Sequence, residues 1–83
     1  MTSAIATTMS HVGLWASEDG YIRQQLFPNG RYVEARGARE GVYRGRYRIA
    51  GDHIDYIDDS GVTVSGDLRG GAIHHAGSVL YPD

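Results

Sequence analysis

From Gly13 to Tyr81 apolar and polar residues alternate in short runs, broken every eight to twelve residues or so by turn signals rich in glycine. A period of two is that of β-strands with one buried face, and no helix-length amphipathic stretch interrupts it. The stretch GVYRGRYRIAGDHIDYIDDSG, residues 41 to 61, shows the pattern best: Arg44, Arg46 and Arg48 fall at every second position between Tyr43, Gly45, Tyr47 and Ile49. A two-residue Gly51-Asp52 turn of type II′ would pair Ile49 with Ile54, Tyr47 with Tyr56 and Gly45 with Asp58 on one face. The other face would then pair Arg48 with Asp55 and Arg44 with Asp59. A slip of one residue destroys both faces at once, so the arginines are read as the solvent side of a strand. Exposed pairs of this kind are worth only about 0.2–1 kcal/mol each and specify register more than stability.

Two further turns continue the same apolar face. A three-residue Asp59-Ser60-Gly61 loop sets Tyr56 against Val64 and Ile54 against Gly66. A Gly70-Gly71 turn sets Leu68 against Ile73, Gly66 against His75 and Asp67 against His74. FPNGR allows two readings. A three-residue loop pairs Leu26 with Tyr32 and Gln24 with Glu34, whereas an Asn29-Gly30 turn would gather Ile22, Leu26, Val33 and Ala35. Pro28 at the first corner of a type I turn favours the former. The expected strands are His11–Ala16, Tyr21–Phe27, Arg31–Arg36, Val42–Ile49, His53–Asp58, Val62–Leu68, Ala72–His75 and Ser78–Tyr81. Eight short sequential strands predict an all-β fold, an eight-stranded antiparallel up-and-down barrel over residues 11–83, since closure removes the edges that invite aggregation. Residues 1–10 are expected to be a disordered leader. Inward glycines, Gly45 and Gly66 foremost and Gly77 with them, are expected to permit curvature and to leave space beside Asp58 and His75.

Composition narrows the function. The chain has 83 residues, no Cys, and eight basic residues, all Arg, against ten acidic ones, for a net charge of −2. So small a core receives no help from disulfides or thiolate metal sites, and homodimer formation would support it. The charge balance argues against nucleic acid as a partner. MTSAIATTMS lacks the features of a secretory signal, and no apolar run is long enough to cross a membrane as a helix, which predicts a soluble cytoplasmic protein.

Gly13-Leu14-Trp15 on a first strand resembles the opening of calycin barrels, where such a Gly-x-Trp lays its indole across one end. A longer series reaches nearly from Gly13 to Tyr81: Asp19-Gly20-Tyr21-Ile22-Arg23, Pro28-Asn29-Gly30-Arg31-Tyr32, Glu34-Ala35-Arg36-Gly37, Tyr43-x-Gly45-x-Tyr47, His53-Ile54-Asp55-Tyr56, Asp58-Asp59 and His74-His75. It resembles a small bacterial family typified by an Agrobacterium tumefaciens protein of unknown function. The resemblance implies a streptavidin-like barrel with a suspected ligand site and no established activity. The chain departs from the pattern at GVTVSGDL after Asp59 and at Ala76, where a second glycine is expected. Tight biotin sites use several tryptophans and this chain has one, so the fold analogy says nothing of the ligand.

The expected interior holds Trp15, Tyr32, Tyr43, Tyr47, Tyr56 and Tyr81 together with Glu34, Arg36, Asp58 and His75. Aromatic walls with a few polar groups suit a small-molecule pocket, although aromatics alone could simply fill a small barrel. Buried charges without use cost several kcal/mol each, so Glu34, Arg36, Asp58 and His75 need one another, water or a ligand. Except for Tyr81, these residues are the candidate ligand-binding set. Asp58 and His75 are the candidate acid and base if a reaction occurs, with an Asp in a partly apolar pocket tuned toward neutral pH; the plainer reading is a hydrogen bond orienting His75. Outside, His53, Asp67 and His74 have the residue types of a two-His-one-carboxylate metal set, but the favoured reading is an exposed charge cluster with no metal and no cofactor.

Motifs of hydrolases, NTPases and dinucleotide binders are missing. The leading expectation is a binding barrel for a small polar or anionic organic molecule. The alternatives are a cofactor-free isomerase or cyclase, and a structural or protein-interaction module.

Overall fold

A computed structural model describes residues 11–83, so the expected leader lies outside the described residues. The strands are β1 (Gly13–Ser17), β2 (Ile22–Leu26), β3 (Arg31–Arg36), β4 (Arg39–Ala50), β5 (His53–Asp58), β6 (Thr63–Arg69), β7 (Ala72–His75) and β8 (Ser78–Pro82). Each pairs antiparallel with the next, and β8 returns to β1 through Trp15 opposite Pro82, Ala16 opposite Tyr81 and Ser17 opposite Leu80. The result is a closed eight-stranded barrel with every ladder completed.

The turn chemistry sets the registers as the sequence predicts. Ile49 faces Ile54, Tyr47 faces Tyr56, Ile54 faces Gly66 and Leu68 faces Ile73. FPNGR forms the three-residue loop, with Leu26 opposite Tyr32 and the Phe27 amide donating to the Arg31 carbonyl at 2.9 Å. β4 begins at Arg39 rather than Val42, because the chain turns at Gly37-Ala38 and then passes an irregularity. The register shifts between Glu34 and Arg36, and Gly41 takes a φ of 62°. A left-handed glycine within a strand is the mark of a bulge, and in the sequence it reads as a loop.

Trp15, Leu26, Tyr32, Tyr47, Ile54, Tyr56, Ile73 and Leu80 form one buried cluster inside the barrel. Tyr81 corrects the expected interior: it is 47% exposed, and Leu80 points inward instead. The Ala76-Gly77 turn sets His75 opposite Ser78 and Ile73 opposite Leu80, so alternation sends Tyr81 outward.

Arg44, Arg46 and Arg48 are exposed, as the alternation requires. Their expected carboxylate partners are engaged elsewhere. Asp59 accepts two bonds from Arg31, both at 2.9 Å, and Asp55 lies 3.1 Å from His53 Nε2. The forked guanidinium of Arg31 fits a carboxylate in a two-bond geometry that a directly opposite side chain need not reach.

The inward glycines also differ from expectation. A β-carbon on Gly45 would collide with the backbone of Ile57 and lie 2.6 Å from Asp58 Cα, and one on Gly66 would lie 2.7 Å from the His74 carbonyl. These glycines are sites of close chain approach, not of free space. Gly66 lets the next strand carry His75 inward beside Ile54.

Candidate functional site

One end of the barrel holds a chamber of about 200 Å³, with walls from β2 to β7. Its polar floor begins on β2 and β3, whose register puts Gln24 opposite Glu34. Gln24 Nε2 donates to Glu34 Oε1 at 2.8 Å, and the Tyr56 hydroxyl donates to Gln24 Oε1 at 2.8 Å. Arg36, two residues along the same face as Glu34, donates from Nε to Glu34 Oε2 at 2.6 Å. Gln24 is wholly buried and Glu34 is 2% exposed, while about a third of the Arg36 side chain meets solvent. The Glu34 carboxylate raises the Arg36 guanidinium further above its ordinary range, chiefly through that hydrogen bond.

Arg36 also lies over the Tyr43 ring, 5.2 Å from its centroid. Such an arrangement contributes about 0.5–1 kcal/mol at an exposed site. The Tyr56 ring bridges Tyr32, at 5.0 Å and nearly edge on, and His75, at 4.9 Å. Among the described residues His75 Nδ1 is buried without a hydrogen-bond partner. At the rim the polarity reverses: Tyr43, Val62 and Val64 line the chamber yet are 43%, 57% and 38% exposed. Ala76 completes the lining with a φ of 51°, a left-handed conformation that costs a non-glycine residue roughly 1–2 kcal/mol.

Of the residues the sequence singles out, Tyr32, Glu34, Arg36, Tyr43, Tyr56, Asp58 and His75 come together here. Trp15 and Tyr47 do not. Trp15 is buried in the core with Nε1 donating to the His11 carbonyl at 2.9 Å, and the Tyr47 hydroxyl donates to the Phe27 carbonyl at 2.7 Å. Gln24, Val62, Val64 and Ala76 are lining residues that the candidate set omits. The Gln24–Glu34 register points to the first of them.

Asp58 is a correction. Its Oδ1 accepts from the Ser60 hydroxyl at 2.6 Å, the Ser60 amide at 2.9 Å and the Val62 amide at 3.0 Å. These bonds, the Ser60 hydroxyl foremost, hold its carboxyl below the ordinary range, where tuning toward neutrality had been expected. Among the described residues no hydrogen bond joins Asp58 to His75.

Burial pushes the Tyr32 hydroxyl up to about 12 and raises those of Tyr56 and Tyr47 as well. An unfolded tyrosine ionises near pH 10, so above that pH the unfolded chain loses protons that the folded one keeps. The stability held by these groups is complete below pH 10 and falls as the pH rises toward 12. Alkaline titration followed by tyrosinate absorbance and circular dichroism together is expected to show Tyr32, Tyr47 and Tyr56 ionising only as the barrel unfolds.

On the outer wall His53 sits between Asp55 and Asp67, with Nδ1 3.4 Å from Asp67 Oδ1. Those carboxylates, Asp67 first, raise the pKa of His53. Among the described residues no three His, Asp or Glu side chains are placed to hold a metal ion. A larger depression of about 530 Å³ runs over β4, β5 and β6 past Arg46, Arg48, Ile57, Thr63 and Ser65.

Residues 8–82 match the family described as Agrobacterium tumefaciens protein Atu4866. The chain belongs to the Atu4866 family. The solution structure of protein Atu4866 from Agrobacterium tumefaciens is 51% identical in sequence, with a TM-score of 0.77, and the match covers 86% of this chain and 91% of that one. No curated protein matches. Membership in the Atu4866 family supports the barrel and carries no activity with it.

Proposed function

We propose that the protein binds a small organic molecule in the chamber floored by Gln24, Glu34 and Arg36. The observation that supports this is the reversal of polarity within it. A barrel built only for stability would bury its inward aliphatic chains and keep charge outside. Here a carboxylate is 2% exposed at the floor while inward Val62 and Val64 stand in water at the rim. Burying a charge is expensive, and each uncovered aliphatic side chain forgoes part of the 1.5–3 kcal/mol or so that full burial contributes. A guest with a polar end and an apolar body matches both features. Binding is favoured over catalysis because Asp58, the intended acid or base, is committed to its own turn.

Native mass spectrometry of protein drawn from its own cells tests this reading. The wild-type chain is expected to retain a small molecule that a Val64→Trp variant, folded but blocked at the rim, releases. Bare wild-type protein that also fails to take up any component of a metabolite extract would overturn it.

A further inference from the structure

From the chamber's hydrogen bonds we infer that its ligand is a monocarboxylate, an aryl or short alkyl acid with a single negative charge, seated with its carboxylate on Arg36; this rests on the binding reading above. Glu34 holds only Nε of that guanidinium, at 2.6 Å. Among the described residues both Nη atoms lack a hydrogen-bond partner, although the side chain lines the chamber. Two N–H groups in one plane form a fork that matches the two oxygens of a carboxylate, a geometry that a hydroxyl or a carbonyl fills only in part.

The other charges around the chamber limit the guest to one negative charge. Glu34 lies on one side of Arg36, and Asp58 stands at the lining with its Oδ1 engaged by Ser60 and Val62. With two carboxylates and one guanidinium among the lining charges, a doubly charged phosphate would meet more repulsion than a monocarboxylate does. The apolar body follows from the rim, where Tyr43, Val62 and Val64 offer one ring face and two aliphatic side chains above the polar floor. A space of about 200 Å³ admits one substituted ring or a short chain and excludes a long lipid.

Benzoate, benzyl alcohol and phenyl phosphate share the ring and differ in the head, so titrating each into the protein while following backbone amide shifts separates the two levels of the claim. Benzoate is expected to bind saturably at the chamber, at least tenfold more tightly than either other probe. Arg36→Lys retains a cation opposite Glu34 and removes the fork. It should weaken benzoate about tenfold or more and shrink its preference over benzyl alcohol, while wild-type amide dispersion at Gln24 and His75 reports that the chamber is intact. Benzyl alcohol or phenyl phosphate binding as tightly as benzoate, or an Arg36→Lys variant that binds benzoate normally, would overturn the carboxylate assignment and leave the chamber reading standing. If no probe perturbs the chamber of the folded protein, both fall.

Discussion

Replacing Gly45 by Ala is expected to leave the chain without a stable fold. The added methyl would collide with the Ile57 carbonyl and lie 2.6 Å from Asp58 Cα, and both obstacles are backbone. β5 cannot withdraw, because Gly45 and Arg46 pair with Asp58 and Ile57 on one side while Tyr56 and Ile57 pair with Val64 and Thr63 on the other. Overpacking that flexible side chains can absorb costs about 1–3 kcal/mol, and a backbone collision exceeds that range. A domain of this length has roughly 4–12 kcal/mol of total stability. Gly51→Ala is the control: Gly51 has a φ of 62° but nothing within 4 Å of its added carbon, so that variant pays only backbone strain of about 1–2 kcal/mol. Amide dispersion and denaturant unfolding of the two variants check the comparison. A cooperatively folded Gly45→Ala protein within about 1 kcal/mol of wild type would show that β4 and β5 are not so closely apposed.

Glu34→Ala is expected to cost on the order of 2–3 kcal/mol. It removes the acceptor of Gln24 Nε2 and the counter-charge of Arg36 together. Breaking a fully buried pair costs about 3–5 kcal/mol, and the figure is reduced here because 36% of the Arg36 side chain remains in solvent. For a domain this small each kcal/mol moves the thermal midpoint by about 4–8 °C, so the loss is easily read. Glu34→Ala combined with Arg36→Met should recover much of the stability, since no unpaired charge remains, and yet lose carboxylate binding. That combination separates what the pair does for the fold from what it does for a ligand. A Glu34→Ala protein within about 0.5 kcal/mol of wild type would mean that the buried array has no structural weight.

These two positions show what the sequence could and could not convey. The ladder from Ile49 to Ile73 was legible because each hairpin turn has a fixed length, and that length decides which residues meet. Tyr81 obeys the same rule and lies outside the barrel, because the Ala76-Gly77 turn puts Leu80 opposite Ile73. The purpose of Gly45 was hidden because a missing side chain reads alike whether it makes room for a guest or for a neighbouring strand. Glu34 and Arg36 were recognisable as an inward pair from their spacing. The Asp59-Ser60-Gly61 turn was legible too, but the hold of the Asp58 side chain on it was not, because its bonds to Ser60 and Val62 depend on a loop conformation that alternation does not encode. The wet rim at Val62 and Val64 was equally silent, since the pattern that marks them as inward cannot say where the barrel opens.

On the proposed reading the polarity-reversed chamber, and not the larger depression on the outer wall, receives the ligand. Amide shift mapping during titration with a metabolite extract from the host tests it most directly. Perturbations are expected to centre on Gln24, Glu34, Tyr43 and His75. Shifts centred on Arg46, Ile57, Thr63 and Ser65, with the chamber residues unmoved, would contradict it.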